Sequence, residues 1–92
     1  MGAFAQKNEL KTAEKALKKG SYNTALTVLK PLDAMEASMD AKYKAKFYFL
    51  KAQAYSKSNL KLAAETFNKL MAYEKQTGKA KYTKEAQPML NA

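Results

Sequence analysis

The chain has no cysteine, no histidine and no arginine, and only three glycines and two prolines stand among its 92 residues. Without cysteine there can be no disulfide, no thiol nucleophile and no thiolate zinc site; without histidine the usual imidazole base and metal ligand is missing too. The lack of cysteine suits an oxidising or a reducing compartment and chooses neither. Arginine matters for a different reason, since specific recognition of phosphate and guanine leans on its planar, bidentate guanidinium. No apolar run approaches the roughly 20 residues that a membrane-spanning helix needs. With 47% hydrophobic residues and so little glycine and proline, the chain is not of low-complexity or disordered type, and it is expected to fold.

What remains is rich in lysine. All 17 basic residues are lysine against eight acidic ones, for a net charge of +9. Such a charge suggests an acidic partner. The lysines, however, are spread over the whole chain and often stand at helical spacing from an acid, as in Glu14 with Lys18, Asp40 with Lys44 and Glu65 with Lys69. That is the pattern of solvated helix faces; nonspecific attraction to nucleic acid or another polyanion stays open as the alternative. The length fits one domain with one core.

The apolar spacing is helical throughout. Leu10, Ala13 and Leu17 predict a helix over 6–19 that stops at Gly20. Ser21 is a suitable N-cap for a second helix, with Tyr22, Ala25, Leu26, Leu29, Leu32 and Met35 on its apolar face. Pro31 removes one donor and crowds the carbonyl of Thr27, so this helix is expected to kink or break near Lys30. Asp40 can cap a third helix over 41–57, where Tyr43, Phe47, Tyr48, Phe49, Leu50, Ala54 and Tyr55 cover more than one face and predict a helix sandwiched between neighbours. Asn59 starts a fourth, carrying Leu60, Ala63, Ala64, Phe67, Leu70 and Met71 and ending at Gly78. A weaker fifth pattern, Tyr82, Ala86, Met89 and Leu90, covers 81–91, is interrupted by Pro88, and is expected to fray. At the other end Ala3-Phe4-Ala5 has the small-x-small form of an export-signal cleavage site, which makes 1–5 a remnant of such a signal or of cloning; the competing reading is a first helical turn that happens to hold two alanines.

Sliding the chain on itself by 38 residues sets Ala16 on Ala54, Lys19 on Lys57, Gly20 on Ser58, Ala25 on Ala63, Leu29 on Phe67, Leu32 on Leu70 and Glu36 on Glu74. Helix, tight turn and helix recur in register, and a period of this size marks stacked helix pairs. The stretches "ALKKGSYNTALTVLKPL" and "AYSKSNLKLAAETFNKL" resemble the turn and second helix of the tetratricopeptide repeat family. Gly20, Tyr22, Ala25, Leu29 and Leu32 fill its positions in the first copy; Ser58 or Asn59, Leu60, Ala63, Phe67 and Leu70 fill them in the second. Its small residue at the closest helix crossing falls on Ala13 and Ala52. The chain departs from the family in lacking a glycine in the second turn, in a longer spacer between copies, and in Pro31 lying inside a helix.

The resemblance implies an all-α fold of about five helices, with antiparallel helix-turn-helix pairs stacked as a short right-handed solenoid. Repeat one would cover about 6–39, repeat two about 40–77, and a partial third 79–92, the last serving as a lid unless the chain pairs with another copy. It further implies a concave surface that receives a peptide or protein. Carried onto this sequence, the residues facing that surface are Lys7, Leu10, Glu14 and Leu17 from the first copy and Lys46, Phe49, Gln53 and Lys57 from the second. The family's carboxylate clamp is not matched, because Leu10 and Glu14 fall where lysine and asparagine are wanted, so no chaperone C-terminus is expected as ligand. An exported bacterial protein, periplasmic or secreted, fits the N-terminal reading; the cytoplasm is the alternative.

No enzyme is expected, and no cofactor or metal. General acid-base chemistry needs two carboxyls about 5 to 10 Å apart on a rigid wall. Glu9 and Glu14 point in different directions on their helix, and Asp33 and Glu36 share a face among lysines with no third group. No glycine-rich phosphate loop, serine elbow or metal-ligand cluster is present. The aromatics Tyr43, Phe47, Tyr48, Phe49 and Tyr55, beside Lys42, Lys44, Lys46 and Lys51, admit a single-strand nucleic-acid platform but are better explained as packing.

Overall fold

A computed structural model of the chain describes residues 3–91, with the side-chain surroundings of all of these except 3–6, 42, 90 and 91. The described residues form α1 (Ala3–Lys18), α2 (Tyr22–Asp33), a short 3-10 turn (Glu36–Ser38), α3 (Ala41–Tyr55), α4 (Leu60–Thr77) and α5 (Lys81–Asn91). The protein is all-α, as the apolar spacing requires, and its helices associate as hairpins. α1 packs on α2 and α3 on α4; α3 also meets α1 and α2, and α5 lies against α4 and α3.

Glycine sets two of the four connections between helices, those after α1 and α4. Gly20 has φ +80°, its N–H donates to Leu17 and the N–H of Ser21 donates to Ala16. Gly78 has φ +76°, its N–H donates to Lys75 and the N–H of Lys79 donates to Glu74. Both are the same left-handed helix stop, in which two orphan carbonyls are satisfied at once. The corner between α3 and α4 manages without a left-handed residue. There the N–H groups of Ser58 and Asn59 both donate to Tyr55, and the Asn59 side chain caps α4 by accepting from the Leu62 N–H at 3.1 Å. Ser21 and Asp40 stand at the N-cap positions expected of them, but their side chains make no cap hydrogen bond; only their carbonyls accept from the first turn.

Pro31 does not break α2 at Lys30. The helix runs on to Asp33, so Pro31 sits in its last turn, where few residues follow and little helix is left to disturb. Pro88 likewise lies within α5, which reaches Asn91. α3 ends at Tyr55, two residues short of the expected 57. α1 begins at Ala3, so residues 3–5 are helical, while Met1, Gly2 and Ala92 lie outside the described residues.

The core explains why α3 is apolar on several sides. Phe47, Ala52 and Ala54 are fully buried on it, with Tyr48, Phe49 and Leu50 close behind, because four helices surround it. Leu10 and Ala13 from α1, Ala25, Leu29 and Leu32 from α2, and Ala63, Phe67 and Leu70 from α4 complete the cluster, and Ala86 joins it from α5. Ala13, Ala25 and Ala52 are each fully buried, so only a methyl group separates their backbones from the neighbouring helices.

α5 is fastened from α4. Glu74, 2% exposed, accepts from the backbone N–H of Tyr82 at 3.2 Å, the N–H of Thr83 at 2.6 Å and the Thr83 hydroxyl at 2.8 Å. A carboxylate thus occupies the positive end of α5 and satisfies donors that have no partner within the helix. Glu36, 38 residues earlier, also reaches the helix that follows it, accepting from the Tyr48 hydroxyl of α3 at 2.8 Å.

Candidate functional site

The corners at 19–21 and 56–59 lie side by side: residues Gly20 to Thr24 share a recess with Lys57 and Ser58. α1 and α3 therefore run parallel. α5 follows the same direction, since Tyr82 near its start stacks on Phe49 with ring centroids 5.1 Å apart, while Met89 near its end reaches Gln53 one turn further along α3. Three parallel helices side by side leave a groove along their common face.

That groove has two connected parts. One, about 510 Å³, is lined by Glu14, Leu17 and Lys18 of α1, Phe49, Leu50 and Gln53 of α3, and Glu85 and Met89 of α5. The other, about 330 Å³, continues past Leu17, Gln53 and Met89 to Tyr22, Ser56, Lys57 and Phe67. From Phe49 to Tyr55 the α3 floor covers about 9 Å at 1.5 Å per residue, and the groove continues past the end of the helix to Ser56 and Lys57.

Of the eight residues expected from the sequence, Glu14, Leu17, Phe49, Gln53 and Lys57 line this groove. Lys46 stands at its rim and pairs with Glu14, 3.6 Å away, tying α3 to α1. Lys7 is exposed on α1 and lines neither part. Leu10 is a correction: at 1% exposure it faces the core, because α1 is covered by both α2 and α3 and its buried stripe is wide enough to include it. Lys18 and Leu50 also line the groove without being among the eight, and the same holds for Glu85 and Met89 of α5. Their helix has no second half in the sequence with which to align it, so only the apolar spacing of Met89 marked it.

The groove is chemically graded. Its floor and walls are apolar at Leu17, Phe49 and Met89, with the Gln53 amide among them; Gln53 Nε2 makes a weak contact with Met89 Sδ at 3.7 Å. Lys18 and Lys57 mark the end near the corners, and Lys57 Nζ lies 6.0 Å from the Tyr22 ring centre. Glu85 lies toward the opposite end, where Glu14 and Lys46 offset each other. A smaller recess between α2 and α3, about 280 Å³, is crossed by the Lys51–Asp33 pair at 2.8 Å, whose charges face each other and not a ligand.

Three of the four acidic residues considered for acid-base work are engaged elsewhere: Glu14 with Lys46, Asp33 with Lys51, and Glu36 with Tyr48. Burial, followed by the hydrogen bond and charge of Glu36, pushes the Tyr48 hydroxyl well above the usual phenol range, so it stays a proton donor to that carboxylate. The aromatics are mostly packing groups, with Phe47, Tyr48 and Phe49 buried. Lysines lie over several rings: Lys44 over Tyr73, Lys51 over Phe47 and Lys81 over Tyr82, each 5.2 to 5.3 Å from the ring centre. Comparison of the chain with protein-family models, curated proteins and solved structures finds no match.

Proposed function

We propose that the chain is a non-catalytic interaction module that receives a peptide or protein partner in the groove of α1, α3 and α5. In this reading it is a tetratricopeptide-like repeat protein with right-handed stacking, from a bacterial protein exported to the periplasm or beyond the cell. The observation that carries the reading is a convergence: Glu14, Leu17, Phe49, Gln53 and Lys57, chosen from repeat positions on two helices, line one continuous groove. The pairwise packing of α1 with α2, α3 with α4, and α5 on α3 and α4 supports the repeat assignment. A protein partner is favoured over single-stranded nucleic acid because the faces of Phe47, Tyr48 and Phe49 are buried and offer no platform for bases.

Selection from a displayed random-peptide library tests this. Enriched peptides are expected to shift the NMR amide signals of Leu17, Gln53 and Met89. Failure to enrich any peptide, or shifts confined to other faces, would overturn it. So would tighter binding of single-stranded DNA with a steep salt dependence, the mark of the polyanion alternative.

A further inference from the structure

We infer that the groove selects a short extended segment carrying an acidic residue, a large apolar residue and a basic residue at alternate positions. This rests on the reading of the groove as a peptide site and adds the chemistry of the peptide. In an extended chain, side chains i, i+2 and i+4 share one face and span about 13 Å. The helical part of the groove floor, Phe49 to Tyr55, is about 9 Å long, and the groove runs on past the end of α3 to Lys57. Three side chains on one face of such a segment therefore meet three zones. At the corner end Lys18 and Lys57 present two ammonium groups with no carboxylate partner among the described residues. In the middle Leu17 and Met89 form opposed apolar walls, and Met89 is 43% exposed, an unusual state for a large apolar side chain already inside a cleft. At the other end Glu85 is exposed and unpaired among the described residues, while the nearby Glu14 and Lys46 neutralise each other.

The floor supplies the remaining contact. Gln53 stands between the two walls, and its amide oxygen accepts no hydrogen bond from the described residues. An amide with a free acceptor, in a groove otherwise apolar, matches the repeating N–H groups of a main chain. Charge complementarity at the two ends then sets which segment is accepted, more than how tightly any segment binds. A helical segment is disfavoured, because two turns of a helix about 10 Å wide would hold its backbone away from Gln53.

The test uses fluorescein-labelled pentapeptides blocked at both ends and the full chain, read by fluorescence anisotropy at low salt. The four probes are Asp-Ser-Leu-Ser-Lys, Asp-Ser-Leu-Ser-Asp, Lys-Ser-Leu-Ser-Lys and the neutral Ser-Ser-Leu-Ser-Ser, with Lys-Ser-Leu-Ser-Asp added because either chain direction satisfies the zones. One of the two mixed-charge probes is expected to bind about tenfold more tightly than the other three types. Glu85→Lys is expected to shift preference to the doubly acidic probe, and Lys18→Glu with Lys57→Glu to the doubly basic one. All three changed residues are exposed, so the fold should survive the substitutions.

Equal binding of the neutral probe overturns the charge pattern and leaves the peptide groove standing. Tightest binding of the doubly acidic probe to the unaltered chain also overturns it, since net charge would then decide. If none of these probes binds while library-selected peptides occupy the groove, this inference alone falls. If no peptide of any kind binds, the proposed function falls with it.

Discussion

Replacing Glu74 by alanine should release α5 while leaving the other four helices in place. The carboxylate accepts three hydrogen bonds from Tyr82 and Thr83 and is almost fully buried. Loss of a helix N-cap costs about 1 kcal/mol, and loss of a negative group at the positive end of a helix about 0.5 to 1 kcal/mol. A hydrogen bond to a charged group contributes about 1.5 to 3 kcal/mol net of water. These overlap, because the same oxygens do all three things, and desolvation of the carboxylate offsets part of the gain. A total near 3 kcal/mol is a reasonable reading, large against the roughly 5 to 14 kcal/mol that a chain of this length commands. With a slope of about 1.5 kcal/mol per M urea, the unfolding midpoint falls by about 2 M. Glu74→Gln keeps one carbonyl acceptor and should cost about half as much. Hydrogen exchange gives the sharper readout, since amides of 81–91 should lose protection in Glu74→Ala while those of α1 to α3 keep theirs. Unchanged protection in α5 together with an unmoved urea midpoint would show that apolar packing of Ala86 and Tyr82 alone holds the helix, and the reasoning would be refuted.

Two further substitutions probe the corners and the buried phenol. Gly20→Ala should cost about 1 kcal/mol in urea unfolding, because φ is +80° while space for a methyl group is open, so backbone strain is the only term; a variant as stable as the parent would contradict the left-handed stop. Tyr48→Phe should cost about 1 kcal/mol near neutral pH through the lost bond to Glu36. Because burial raises the Tyr48 pKa, the unfolded chain ionises first, near the ordinary value of 10.0, and the stability that the protonated phenol contributes is lost as pH rises beyond it. The advantage of the parent over Tyr48→Phe should therefore shrink from pH 10 upward, and a constant gap between pH 8 and 11 would refute the assignment.

The features legible in the sequence were those written locally. Gly20, Asn59 and Gly78 punctuate the chain through backbone conformation or a side-chain cap, and the period of apolar residues identified all five helices. Pro31 was given too much weight because its effect depends on how many helical residues follow it, and only two do. Leu10 was assigned to the groove because the repeat register does not say how wide the buried stripe of α1 is; two covering neighbours decide that. In 81–91 the alignment of Glu74 with Glu36 is visible in the sequence, but the reach of Glu74 across a corner to Thr83 is not. Glu14, Leu17, Phe49, Gln53 and Lys57 follow from the family resemblance carried onto the two copies, whereas Lys18 and Leu50 do not. Glu85 and Met89 do not either, since α5 has no partner helix in the chain against which to register it.

The parallel setting of α1, α3 and α5 has a consequence for engineering and for descent by duplication. Leu17 and Gln53 enter the groove from parallel, neighbouring helices, so a copy of 40–77 inserted after Thr77 is expected to extend the furrow by one helix spacing, about 8 to 10 Å. A variant of that kind would carry its own lining residues into the groove on each added helix, so its specificity could be changed without touching α1, α3 or α5.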